Sequence, residues 1–260
     1  MSKPLPQLHQ LQLNMLAQPD DLTCGPTCLH AVYRYFNDDM PLEQVIREAS
    51  RLDDGGTLAV LLGCHALRRG YEATIYSYHL DVFDPTWFSS PNDSSGDPTT
   101  SGQACVDLVE RLHAQMAAKD LLKLHAVSDA YIDFLNLGGK IRMQDLNADV
   151  IRRYLEQSIP ILTGLSATYL YHCRREFGPT AVADDVNGLP MGHFVVLCGY
   201  DQQQRTVSVA DPYLPNPLAE QHHYEVDIDR LVCAILLGVL TYDANLLIIK
   251  PQNFQGGSGA

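Results

Sequence analysis

Positive charge is scarce in this chain: 18 Lys and Arg stand against 31 Asp and Glu over 260 residues, a formal net charge of -13. With no run of Lys and Arg to release counterions from a phosphate backbone, a nucleic-acid partner is excluded as the organising function. Long hydrophobic runs are lacking too. The longest nearly uncharged apolar stretch, residues 231–240, falls well short of the roughly 20 residues that a membrane-spanning helix needs. Residues 1–18 are interrupted by Pro4, Pro6 and repeated Gln and have no apolar centre of signal-peptide form. A soluble, cytoplasmic protein with no membrane partner is therefore expected. The seven cysteines, at 24, 28, 64, 105, 173, 198 and 233, are odd in number and scattered, so free thiols are expected rather than a disulfide framework. What is plentiful is apolar side chain, 46% of the residues, in a chain long enough to bury a substantial core.

The stretch from Gln18 to Phe36 carries the densest chemistry. Leu29, Val32, Tyr33 and Phe36 recur at i, i+3, i+4 and i+7, the apolar face of a helix, and Thr23, Gly25 and Pro26 mark its start. Cys24 is thus placed at a helix N-terminus, where unsatisfied N–H groups and the positive end of the macrodipole favour thiolate. Gln18, six residues earlier, can fold back so that its amide and the Cys24 backbone N–H converge on a developing oxyanion. Cys28, one turn along, reads as core. A Cys24–Cys28 metal pair would need further ligands, and His30 is off that face.

Downstream, helices are expected over 41–52, from a Thr57 cap to Leu67, over 105–116 and 121–137, and from an Asn147 cap through Leu155. Strands are expected over 72–79 and 159–165. Gly55-Gly56 should stop the second helix. Residues 80–103, rich in Pro, Ser and Asp around Trp87, read as a long loop, a mobile flap rather than a rigid wall. The organisation expected is one domain over 1–251 with a helical insert at about 104–138, and a disordered Gly-rich tail at 252–260.

Residues 192–200 and 205–210 read as a β-hairpin about the polar segment 201–204. If the loop is centred on Gln202, His193 lies directly opposite Asp211, and the carboxylate can hold one imidazole nitrogen while the other turns to the thiol. Pro212 ends the ladder there. His222-His223, being adjacent on a strand, point to opposite faces and read as a solvated edge rather than a metal site. Cys24, His193, Asp211 and Gln18 together supply a nucleophile, a proton shuttle, an orienting carboxylate and an oxyanion donor. No cofactor and no metal are implied by that set.

These same residues, Gln18 with Cys24-Gly25 at a helix head, Gly192-His193 on a strand and Asp211-Pro212 after it, resemble the papain-like cysteine peptidases. The pattern is most similar to the bacteriocin leader peptidases, the double-glycine-peptidase-like family, and phytochelatin synthase also resembles it. The resemblance covers residues 15–36 and 190–213 well and the middle hardly at all. It implies an α+β fold, with an N-terminal helical half carrying the nucleophile packed on a C-terminal antiparallel sheet. It also implies a peptide or protein substrate, with Cys24 as nucleophile, His193 as base, Asp211 as orienting acid and Gln18 as oxyanion donor. Three departures stand out: the long separation of Cys24 from His193, the second thiol at Cys28, and the lack of a following transporter membrane region. Acyl transfer to an amine, or a silent peptide-binding module, are the alternative functions.

Overall fold

The computed structural model describes residues 9–49, 56–89, 101–242 and 244–254. The expectations for residues 1–8, for the Gly55 stop, for the middle of the Trp87 loop and for the last six residues lie outside these; the second helix, expected over 41–52, ends at Glu48, with Ala49 already in extended backbone.

In chain order, a short strand β1 (His9–Gln10) leads by an extended segment into α1 (Cys24–Tyr35), α2 (Leu42–Glu48) and α3 (Ala59–Arg68). Next come β2 (Tyr71–Ser77), α4 (Leu108–Ala118), α5 (Leu122–Asn136), β3 (Lys140–Arg142) and α6 (Ala148–Glu156). The remainder is β4 (Ile161–Ser166), α7 (Ala167–Tyr171), the small pair β5 (Glu176–Phe177) and β6 (Val182–Ala183), then β7 (Gly192–Asp201), β8 (Thr206–Ala210), β9 (His223–Asp227), α8 (Ile228–Leu237) and β10 (Asn245–Pro251). The main sheet runs β3-β2-β10-β4-β7-β8-β9, with β1 also paired to β7. Only β2 and β3 are parallel among its described pairs. The fold is α+β, arranged as the resemblance implies: helices first, and the Cys24 helix packed on an antiparallel sheet built mainly from the C-terminal half.

The helices form where apolar spacing and caps coincide. Asn147 caps α6 as its sequence position predicts, its side chain accepting from the Val150 N–H, and Val150, Ile151 and Leu155 are buried beneath it. Thr57 does not cap α3. The N-cap is Leu58, in extended backbone and without a side-chain bond, so the helix starts one residue later than a Thr57 cap would set. In α1 the expected face is in the core, with Leu29, Val32 and Tyr33 all at 1% exposure or less.

At both described ends of residues 80–103 the chain is packed against the body. Phe83 and Phe88 are buried, and Phe83 packs edge-on against Tyr131 at 4.8 Å between centroids. Ser89 N–H donates to the Gln103 carbonyl and Met143 N–H to that of Gly102. Gly102 itself has φ of +70° and sits where a Cβ would fall 2.4 Å from the Met143 carbonyl oxygen, so only glycine fits. Aromatic burial there outweighs the turn-rich composition.

The hairpin register also differs from expectation. Asp201 pairs with Thr206, Tyr200 with Val207 and Gly199 with Ser208, and then the register shifts, with Leu197 opposite Val209 and Val196 opposite Ala210. His193 is therefore not directly opposite Asp211. The turn is centred later than assumed, between Asp201 and Thr206, with Arg205 in left-handed backbone at φ of +56°, and Cys198 is the extra residue of a β-bulge.

Candidate functional site

Cys24 opens α1, delivered by a tight turn. Asp20 accepts the Leu22 N–H at its side chain (2.9 Å) and the Thr23 hydroxyl at its carbonyl (3.0 Å), and Thr23 then receives the Thr27 hydroxyl (2.7 Å). Thr23 makes no side-chain cap to the helix, so the first-turn N–H groups are not all taken up by a cap. The helix start lies against β7 at short range: a Cβ on Gly25 would meet Phe194 and Leu62 at 3.2 Å each and Thr57 at 3.3 Å. A glycine after Cys24 lets the helix end come this close to the strand that carries His193.

His193 is buried, and its Nε2 lies 2.8 Å from Asp211 Oδ1. With Nε2 on Asp211, Nδ1 is the ring nitrogen left free to turn to Cys24, which lines the same cleft. Cys24 and His193 line one cleft of ≈ 230 Å³, walled by Leu22, Thr57, Leu58 and Phe194 with Asp21 and Lys123 at its rim. Burial disfavours a charged imidazole, but Asp211 and Cys24 outweigh it and raise the His193 pKa to about 10.

Asp211 follows the last residue of β8 and is fully buried. Its Oδ1 also accepts the Tyr213 N–H at 2.9 Å, and its Oδ2 accepts the hydroxyls of Tyr171 and Tyr224, each at 2.6 Å. Burial by itself would push this carboxyl up; the bonds from His193, Tyr171 and Tyr224 overcome it and hold the pKa below the ordinary carboxylate value. Sequence reasoning missed both tyrosines. They stand 40 and 13 residues from Asp211, and no local spacing links them to it.

Gln18 is half-buried beside this group, with its backbone N–H on the Pro212 carbonyl (2.9 Å). Its Nε2 donates to the Asp20 carbonyl at 3.0 Å, while its Oε1 is buried without a partner. The structure thus ties Gln18 to the segment after Asp211 but aims its amide at the turn before Cys24. Cys28 is fully buried, its thiol donating to the Phe194 carbonyl at 3.2 Å, and burial above all pushes its pKa well up. The solvated-edge reading of His222-His223 is corrected in part. His222 Nδ1 bonds the Asp211 carbonyl oxygen at 2.7 Å and His223 Nε2 that of Leu13 at 3.0 Å, so both rings brace backbone. All seven cysteines are free, with Cys105 and Cys233 exposed. Among the described residues no group of three or more His, Cys, Asp or Glu could hold a metal ion, and no helix is long and apolar enough to cross a membrane.

A family model described as "Peptidase_C39 like family" matches residues 6–230. Among solved structures the chain is similar to a double glycine motif protease from an AMS/PCAT transporter in complex with the leader peptide. The identity is 16%, over 93% of this chain and 94% of that one, with a TM-score of 0.42. It is also similar to Xylellain, a cysteine protease from Xylella fastidiosa, at 15% identity over 95% of this chain and 87% of that one, with a TM-score of 0.40. The curated proteins contain no match.

Proposed function

The chain belongs to the Peptidase_C39-like family, and we propose that it is a cysteine peptidase that cleaves a peptide amide bond through a thioester on Cys24. The observation that carries this reading is the buried His193–Asp211 pair, whose imidazole lines one cleft with Cys24 at the head of its helix. A proton bound with a pKa of about 10 stays on the imidazole at neutral pH, which supports a thiolate–imidazolium pair as the resting state.

In the first half-reaction the Cys24 sulfur attacks the carbonyl carbon, and the electron pair of the C=O moves to oxygen. His193 gives the proton at Nδ1 to the leaving nitrogen as the C–N bond breaks, leaving a thioester and a neutral imidazole. In the second half-reaction that imidazole takes a proton from water as the water oxygen attacks the thioester. The acid leaves and the ion pair is restored. Asp211 keeps its proton count throughout; its role is to hold Nε2–H and favour the imidazolium. The backbone N–H of Cys24 is assigned to the oxyanion. Gln18 joins it if its amide leaves the Asp20 carbonyl when substrate enters.

The test compares the parent protein with Cys24→Ala on a diverse peptide library. The variant is expected to lose about 10³-fold or more of the hydrolysis, and iodoacetamide should label Cys24 faster than the exposed Cys105 and Cys233. Equal cleavage by both proteins sinks the proposal. Conjugates in place of free acid when an amine is added would assign the second half-reaction to acyl transfer.

A further inference from the structure

Asp211 has about four acceptor positions on its two oxygens, and all four are occupied. Oδ1 takes His193 Nε2 and the Tyr213 N–H, and Oδ2 takes two phenols, Tyr171 from the end of α7 and Tyr224 from β9. A buried carboxylate needs partners to remain charged, but it does not need two hydroxyls on the oxygen away from the histidine. The two phenols arrive from different elements. Tyr224 lies opposite Val209, the residue two before Asp211, and Tyr171 comes across from the helix that follows β4.

We propose that Tyr171 and Tyr224 are positioning residues that act through Asp211, keeping its carboxylate ionised and turned so that Oδ1 faces His193 Nε2. This rests on the reading of Cys24, His193 and Asp211 given above. Burial and the Asp211 charge raise both phenols well above the ordinary tyrosine range, so each remains a donor and can only hold a proton out to Oδ2. Two donors on that oxygen fix the rotation of the carboxylate about its Cβ–Cγ bond. They also lower its basicity, so that the proton shared with His193 stays on the imidazole and is available for the leaving group.

The experiment is a ¹³C NMR titration of the Asp211 carboxyl in the full chain, for the parent, Tyr171→Phe, Tyr224→Phe and the double variant. Tyr33→Phe is the control, since Tyr33 is also buried and hydrogen-bonded, to His65 at 2.8 Å. Each hydroxyl removed from Asp211 is expected to raise the carboxyl midpoint by about one pH unit. The acid limb of Cys24 alkylation by iodoacetamide should move upward with it. The control should lose thermal stability with neither midpoint moving. Unchanged Asp211 midpoints in both single variants overturn the inference and leave the tyrosines as packing, whether or not the double variant folds. Failure of the peptidase reading is separate: it shows in the parent, as Cys24 labelling no faster than Cys105 and Cys233, and the carboxyl titration decides the tyrosines either way.

Discussion

His193 and Asp211 are joined by a 2.8 Å hydrogen bond although they are not cross-strand partners. Near the turn, paired residues of β7 and β8 have numbers that sum to 407; past Cys198 they sum to 406. Carried on by one residue, the second register sets Asp211 opposite Val195, two residues from His193 and on the same side of β7. The first register would set it opposite Val196, on the other side. The bulge at Cys198 is what lets these two side chains meet.

Gly199 adjoins the bulge and has strands on both sides. A Cβ there would lie 2.7 Å from Ser208 Oγ and 2.9 Å from the His9 carbonyl oxygen. Gly199→Ala is expected to cost about 1–3 kcal/mol in urea unfolding and to slow Cys24 alkylation by displacing Asp211. A variant as stable and as reactive as the parent would show that the bulge does not fix this geometry.

The stability of the chain should depend on pH at both ends. Asp211 has a depressed folded pKa, so its contribution is present above the unfolded carboxyl value of about 3.9 and is lost as pH falls through the folded value. His193 has a raised one, so its contribution is complete below the unfolded value of about 6.5 and is lost as pH rises towards about 10. Melting temperatures of the parent should fall between these last two values, while those of His193→Gln should fall less. Parallel curves would contradict the assignment.

Cys28→Ala separates the two thiols of α1. It removes a fully buried donor to the Phe194 carbonyl, at an expected cost of about 1–3 kcal/mol, and should leave the alkylation rate of Cys24 as it was. Loss of Cys24 labelling in a folded Cys28→Ala protein would give the second thiol a part in the chemistry.

Arg230 reaches from α8 to hold the end of the Tyr171 helix. Its Nε and Nη2 donate to the Leu170 carbonyl at 3.1 and 2.8 Å, and Nη2 also to that of Tyr169 at 3.1 Å. Lysine lacks the planar fork. Arg230→Lys should lose about 1–2 kcal/mol of stability and raise the Asp211 carboxyl midpoint by loosening Tyr171. A stability loss with no change at Asp211 would confine Arg230 to capping.

Much of the layout was legible because its signals are local. Cys24 at a helix head, the Asn147 cap and the apolar run of β7 are each set by neighbours within a turn or a strand, and the Peptidase_C39-like pattern rests on such pieces. The Thr57 cap failed for the opposite reason. Leu58 is still in extended backbone and α3 begins at Ala59, and the burial of Phe83 is set by Tyr131, far along the chain.

By itself the sequence determined the helix that carries Cys24, the strand that carries His193 and the turn at Asp211-Pro212, since capping, alternation and proline geometry act over a few residues. Only the tertiary structure decided the side of the strand on which Asp211 falls and the two phenols that fill its Oδ2. The first depends on one bulged residue and the second on contacts 13 and 40 positions apart. A one-residue change of register reverses a strand's faces, and a buried carboxylate takes its donors from whatever the fold packs against it.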